Sequence, residues 1–171
     1  MRRADEAAFE EFAVAAQSRL RSTAYLMCGD WHHASDLVQD TLVRLYVAWP
    51  RLQRQGAELA YARRTMLNLL LDQRRRRSSG EVPRAEDDTR PSGEDVAEAV
   101  STRAALLATL DRLPPRQRAC VVLRYFDDLS VADTAAALGC TEGTVKSQTA
   151  RGLDALRALV AETSLADLRI G

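Results

Sequence analysis

The 171-residue chain is long enough for one domain or two small ones, since 46% of its residues are hydrophobic. No segment has the length and hydropathy of a membrane span, and the charged start MRRADEAAFEEF lacks the apolar run of a signal peptide, so neither membrane insertion nor export is predicted. Three widely spaced cysteines fit a reducing cytosol better than a disulfide framework, and we expect a cytoplasmic protein whose net charge of zero hides local patterning.

Two long helices are predicted at the start of the chain. Apolar residues recur every three or four positions over residues 6–27, which is typical of an amphipathic helix that ends at Gly29. A second helix is predicted from about Ala34 to Trp49, because Pro50 disfavours helix in the residue before it. No long stretch alternates apolar and polar residues, so the whole chain is predicted to be all-α.

A small group of metal-binding side chains lies between these helices. Cys28, His32 and His33 could hold a metal, but their spacing matches no common site and a fourth ligand is not evident. A helix end with two solvated histidines is the favoured interpretation. We therefore predict no bound metal.

A third helix, predicted after a loop at residues 51–58, combines aromatic, amide and basic side chains. Aromatic faces stack on unpaired bases, amides hydrogen-bond base edges, and arginines hold phosphates, so this helix is a candidate nucleic-acid surface. The alternative is an ordinary basic helix end that is only solvated. The candidate residues are Tyr61, Arg63, Arg64, Asn68, Arg74, Arg75, Arg76 and Arg77.

An acidic strip separates the two halves of the chain. Residues 1–77 carry 13 arginines and nine acids, a net charge of +4, whereas residues 78–100 carry two arginines and seven acids, a net charge of −5. The strip holds two glycines, two prolines and almost nothing apolar, which predicts a flexible linker over residues 78–97. The next helix is predicted to begin near Val96.

Another helix is predicted after Leu113, where two consecutive prolines suit a first helical turn. Its apolar positions predict that Cys120, Val121, Leu123 and Phe126 are buried, whereas Arg116, Arg118 and Arg124 are expected to be more exposed. Asp127 and Asp128 should end it. A helix-turn-helix follows.

Three spacings between Ser130 and Leu153 predict that helix-turn-helix. Ala135, Gly139 and Val145 suit a small residue at a helix crossing, a glycine in the turn and an apolar plug beneath the second helix. Ser130 and Thr141 are candidate N-caps for the two helices. The alternative is a helical hairpin with a solvated polar face. We predict DNA binding through four outward side chains of the second helix, Glu142, Lys146, Ser147 and Arg151.

The two halves together resemble the extracytoplasmic-function (ECF) group of bacterial sigma factors. The motifs DLVQDTLVRLY and AYARRTMLNLLLDQRRRR are similar to sigma region 2, and LPPRQRACVVLRYFDDLSVADTAAALGCTEGTVKSQTARGLDALR is similar to sigma region 4. Within the group the chain looks most like the actinobacterial SigE-like subgroup. The sequence departs from the common pattern at Gln148 and Leu153, where arginine is frequent in relatives, which puts the number of phosphate contacts in doubt.

The resemblance implies a domain organisation and a set of partners. Region 2 would occupy residues 1–77, bind core RNA polymerase and hold the melted −10 strand, with a flipped base in a pocket of the residue 51–58 loop near Tyr61 and Asn68. Region 4 would occupy residues 98–171 and meet the flap of the second-largest subunit. It would read the −35 duplex with Thr141 in addition to the four outward side chains of the second helix. The clamp helices of the largest subunit would contact a surface formed by Asp36, Gln39, Asp40 and Arg44, with Leu37 and Leu42 as its apolar support.

The resemblance also sets expectations for the linker and for regulation. The linker would pass near the polymerase cleft, either as an acidic mimic of nucleic acid or as a plain solvated tether. Many relatives are held inactive by an anti-sigma protein, so such a partner is allowed for here. Promoter DNA is the expected ligand, and no cofactor is implied.

Two other classes of function were weighed against this one. A free-standing helix-turn-helix regulator would need a ligand pocket or dimer interface in the N-terminal half instead of a base-stacking basic helix. The second alternative is an enzyme or partner-binding module that uses the hairpin only for protein contacts. No residue constellation supports it, and the sequence has no glycine-rich phosphate loop, nucleophile elbow or convincing metal cluster. We therefore predict a sigma factor with no catalytic activity of its own.

Overall fold

The computed structural model describes residues 3–52, 56–78 and 97–167, and these ranges form seven α-helices. In chain order they are α1 Arg3–Cys28, α2 Trp31–Leu52, α3 Glu58–Ser78, α4 Ala97–Asp111, α5 Pro115–Tyr125, α6 Val131–Leu138 and α7 Glu142–Asp167. Within these ranges no helix has both the length and the apolar character needed to span a bilayer. The predicted linker lies outside the described residues, apart from its first and last residues.

Helices α1 to α3 form an N-terminal lobe around the predicted apolar stripe of α1. Leu20, Ala24 and Met27 are almost wholly buried, as the spacing predicted. Phe9 and Phe12 each lie 5.3 Å, centroid to centroid, from the ring of Trp49. Such tilted and edge-to-face aromatic pairs add to the burial energy, so they fix the far end of α2 against α1.

The predicted end of α2 was wrong, because the helix continues through Pro50 to Leu52. Trp49 and Leu52 on either side of the proline are 2% and 5% exposed. Pro50 lies in the last turn, where few hydrogen bonds are disturbed, and burial of its two apolar neighbours outweighs the local preference. The loop is therefore shorter than predicted, and Gly56, with φ of 62°, lies just before α3.

Helices α4 to α7 form a C-terminal lobe, and two predicted exposures in it were wrong. Arg118 is 1% exposed, because it donates from Nε to the backbone oxygen of Leu26 at 2.7 Å and from Nη1 to Asp111 at 2.8 Å. Burial, and then the neighbouring Arg74, lower the pKa of the Arg118 guanidinium. Phe126 is 46% exposed, because it caps the end of α5 and no longer follows the helical period.

The two lobes pack against each other through a shared apolar core, which the sequence did not predict. Buried residues of α1 to α3 are continuous with Leu110, Leu113, Val122 and Ala137 of the C-terminal lobe. A second, smaller cluster lies inside the helix-turn-helix. Helix α3 contacts α6, and α1 contacts α4 and α5. In this arrangement the chain is a closed pair of lobes.

Candidate nucleic-acid interface

Short-range sequence features, two N-caps and a glycine turn, form the helix-turn-helix. Ser130 caps α6, accepting a hydrogen bond on Oγ from the backbone N–H of Asp133 at 2.9 Å. Gly139 ends α6 in the left-handed region, with φ of 63° and ψ of 40°. Thr141 then accepts the N–H of Thr144 at 3.1 Å and so caps α7. Both predicted caps and the predicted turn are confirmed.

Small and branched apolar residues beneath α7 fix its orientation. Val145 is fully buried and packs with Cys120 and Ala135. Burial is also the main cause that raises the pKa of the Cys120 thiol to about 11. At Gly152, which the sequence analysis passed over, an added Cβ would lie 2.8 Å from Cγ2 of Val121 on α5. This close approach positions the following turns of α7.

The five residues predicted to face a DNA major groove are all exposed. They are Thr141, Glu142, Lys146, Ser147 and Arg151. Leu153, one of the two departures from the family pattern, is half-buried against the core, and Gln148 lines a groove between the lobes. The α7 surface therefore presents hydrogen-bonding and basic groups that can reach base edges and phosphates. Their contact with DNA stays a prediction.

The second predicted surface lies on α3 and forms a hollow with α2. This hollow, of about 440 Å³, is lined by Val43, Arg44, Val47, Tyr61, Thr65 and Asn68. It brings Tyr61 and Asn68 together, as expected, and among the described residues its opposite wall is α2. The contribution of the loop before α3 stays a prediction, because residues 53–55 lie outside the described part of the chain. A stacking ring and an exposed amide suit an unpaired base.

The arginines of α3 do not behave alike. Arg64, Arg75 and Arg76 are exposed, whereas Arg74 is half-buried and donates to the backbone oxygen of Met27. Arg63 is only 8% exposed. The side chain of Arg77 lies outside the described part of the chain. The predicted phosphate contact of Arg63 is therefore excluded in the closed arrangement.

The burial of Arg63 has a specific cause. Its Nε donates to Oδ2 of Asp127, on the C-terminal lobe, at 3.2 Å. A charge is buried in a protein only when it is paired. The other lobe supplies the partner carboxylate, which α3 alone does not provide. No pattern within α3 could have shown this.

The predicted polymerase surface on α2 is largely exposed. Asp36, Gln39, Asp40 and Arg44 lie at the surface. Leu37 is 1% exposed, so it supports this surface from the core, as the resemblance implied. Val43 and Val47 were missed, although they are 66% and 79% exposed and follow the same face at helical spacing. The signal available in the sequence was the position of these two valines on the polar face of an otherwise amphipathic helix.

A basic groove lies between the lobes, and both predicted DNA surfaces reach it. Its volume is about 850 Å³, and its lining includes four arginines and a single aspartate. Asn68 of α3 and Arg151 of α7 both contribute. The closed arrangement thus places the proposed single-strand and duplex surfaces side by side.

Comparisons with known proteins identify two sigma-factor regions in the chain. Residues 13–80 match the family model for Sigma-70 region 2, and residues 103–156 match the model for Sigma-70, region 4. The chain is 38% identical over 149 residues to the RNA polymerase sigma-E factor of Streptomyces coelicolor, covering 87% of this chain and 84% of that protein. It is 33% identical over 147 residues to the ECF RNA polymerase sigma factor SigM of Mycobacterium tuberculosis, covering 86% and 74%.

A solved structure has the same fold. It is the sigma factor RpoE of Bartonella quintana, crystallised in complex with the anti-sigma factor NepR. The TM-score is 0.71 at 24% sequence identity, and the match covers 90% of this chain and 96% of that one.

Proposed function

This chain belongs to the extracytoplasmic-function group of the sigma-70 family, and we propose that it binds core RNA polymerase and directs transcription from selected promoters. The observation that carries the proposal is that the family models for Sigma-70 region 2 and region 4 both match one chain, in that order. It acts in the cytoplasm, where the polymerase works. Bond formation belongs to the polymerase, so the chain itself needs no catalytic group.

The −35 element is read by α7. The exposed row Thr141, Glu142, Lys146, Ser147 and Arg151 fits a major groove, and the buried Val145 and the tight crossing at Gly152 hold the helix rigidly behind it. Recognition helices of this class contact bases with their N-terminal turns. Side chains held on a rigid helix give more precise recognition than side chains on a loop.

The −10 element is held by α3 as a single strand. A base leaving the duplex enters the hollow between α2 and α3, where Tyr61 offers its ring and Asn68 its amide. Extrusion costs a few kcal/mol per base, which stacking and edge hydrogen bonds offset. Arg64 and the arginine run at residues 74–77 follow the phosphates. Arg63 joins them once the lobes have separated.

The polymerase is contacted through both lobes. On α2 the exposed polar residues Asp36, Gln39, Asp40 and Arg44 meet the clamp helices of the largest subunit, together with the exposed Val43 and Val47. Valines of this exposure are unfavourable in water and stabilise a complex when they are covered. The C-terminal lobe meets the flap of the second-largest subunit. An anti-sigma protein as a further partner stays a prediction.

Transcription in vitro tests the proposal. The purified chain is added to core polymerase from Streptomyces coelicolor, whose sigma-E factor is similar to it, with a library of genomic fragments, and 5′ ends of the transcripts are mapped. We expect start sites preceded by two shared short elements, which are lost when either the chain or the core is omitted. Tight binding of the chain alone to a defined duplex, without any start site, would favour a free-standing regulator instead.

A further inference from the structure

One carboxylate of the C-terminal lobe is held by three side chains of the N-terminal lobe. Asp127, just after α5, is 4% exposed. Its Oδ1 accepts from Thr23 Oγ1 at 2.8 Å, and its Oδ2 pairs with Arg63 Nε at 3.2 Å. Arg19 approaches Oδ1 at 3.6 Å and donates from Nη2 to the backbone oxygen of Asp127 at 2.6 Å. We call these four residues the Asp127 cluster.

The Asp127 cluster exists only while the lobes are in contact. Its members come from α1, α3 and the end of α5, so separation of the lobes returns each of them to water. In the closed arrangement Arg63 and Asp127 are both buried, and either one without the other would be an uncompensated buried charge. The cluster therefore favours the closed arrangement only when all its charges are present.

The closed arrangement is incompatible with reading both promoter elements. The −35 and −10 elements lie about 20 base pairs apart, which is roughly 70 Å at 3.4 Å per base pair. Asn68 and Arg151, from the two proposed reading surfaces, line the same groove of about 850 Å³. Helix α3 also packs on α6, and Arg63 is removed from the surface that would hold phosphates.

We propose that Asp127 is an autoinhibitory latch, which keeps the free chain closed and unable to hold the −10 strand together with the −35 duplex until core polymerase separates the lobes. This inference rests on the proposed function, because the latch covers part of the surface that is proposed to hold the −10 strand. Because only the open chain binds the polymerase fully, the closed arrangement lowers the apparent affinity for polymerase by a factor equal to the open fraction. Weakening the latch should therefore tighten polymerase binding.

Matched aspartate variants of the full chain test the latch. Asp127→Asn removes the charge from the cluster, and Asp128→Asn makes the same change at the exposed neighbour, whose φ of 54° suits asparagine. Each variant loses one negative charge, so any general increase in attraction to nucleic acid is the same in both and does not affect the comparison between them. Thr23→Val weakens the cluster from the other lobe at nearly constant shape. Thermal melting of each variant confirms that it folds.

Small-angle scattering and polymerase titration are the two measurements. The wild type and Asp128→Asn should have a radius of gyration near 16 Å, the value for a compact chain of this length. Asp127→Asn should have a larger radius of gyration and bind core polymerase at least about threefold more tightly. Thr23→Val should give intermediate values of both quantities. Transcription at saturating polymerase should be equal in all four.

The outcomes separate failure of the latch from failure of the function. An extended wild type, or an Asp127→Asn variant that matches Asp128→Asn in both scattering and affinity, overturns the latch while transcription remains. Absence of transcription with every variant overturns the proposed function and the latch with it. If a variant does not fold, Thr23→Val alone decides between these results.

Discussion

The two proposed DNA-reading surfaces differ in how freely they are presented. The α7 surface is exposed along its whole length, and short-range features of the helix-turn-helix position it. The α3 surface is partly covered by the other lobe, and Arg63 is buried by Asp127. The difference teaches that an intact duplex can be approached by the chain as it stands, whereas the single-strand surface becomes available only after a change in the arrangement of the lobes.

The largest expected effect is on the exposed surface. Lys146→Ala and Arg151→Ala should each weaken duplex −35 binding by about 1–3 kcal/mol if they contact base edges. If they contact only phosphates, the loss should be similar for all sequences and the salt dependence should become shallower. Arg157→Ala is the control, because Arg157 is exposed on α7 but pairs with Asp154 at 2.8 Å. Unchanged promoter binding by both variants would show that the reading face has been assigned wrongly.

Two glycines on α7 test whether the close crossing with α5 stabilises the fold. Gly152→Ala should reduce the free energy of unfolding by about 1–3 kcal/mol, because the added Cβ meets Val121 at 2.8 Å. Gly143→Ala has only an ordinary 3.8 Å contact with Thr141 Oγ1 and should gain up to about 1 kcal/mol from helix propensity. Denaturant unfolding measures both. Changes of the same sign would contradict the close crossing of α7 and α5.

Asn68→Ala tests the α3 surface at a side chain that is itself exposed. We expect promoter opening to be impaired by about 1 kcal/mol, the value of one hydrogen bond, whereas binding to duplex −35 DNA stays as it was. Arg151→Ala should show the opposite pattern, so each variant is the control for the other. Equal loss in both assays would mean that the hollow between α2 and α3 is not where a base is held.

The smallest effect is expected from the exposed valines of α2. Val47→Ser should weaken binding to core polymerase by about 1 kcal/mol, since a buried apolar side chain contributes about that much or more. Val14 on α1 is 72% exposed, close to the 79% of Val47, and Val14→Ser is therefore a matched control. Fluorescence titration with core polymerase compares them. A similar loss in both variants would assign the effect to general surface polarity.

The sequence predicted those features that depend on local spacing. Ser130, Gly139 and Thr141 act within one or two turns of the chain, so their residue types alone indicate caps and a left-handed turn. The apolar stripes of α1 and α2 were predictable for the same reason. The family resemblance added the division into regions 2 and 4, which the comparisons confirm.

The features that were missed depend on the other lobe. Arg118 looks like an exposed arginine within α5, but the backbone of α1 supplies its hydrogen-bond acceptor. Asp127 looks like a helix terminator, yet Thr23 and Arg63 bury it. The position of Pro50 inside α2 follows from the packing of Trp49 against α1. Periodicity within one helix contains no information about such contacts.

Permanganate footprinting tests the central claim most directly, because it detects unpaired thymines in the −10 region. On a promoter found in the transcription experiment, the account predicts reactive thymines only when the chain and core polymerase are both present, and weaker reactivity with Asn68→Ala. Reactive thymines with core alone, or protection of a duplex by the chain without any opening when core is added, would contradict it.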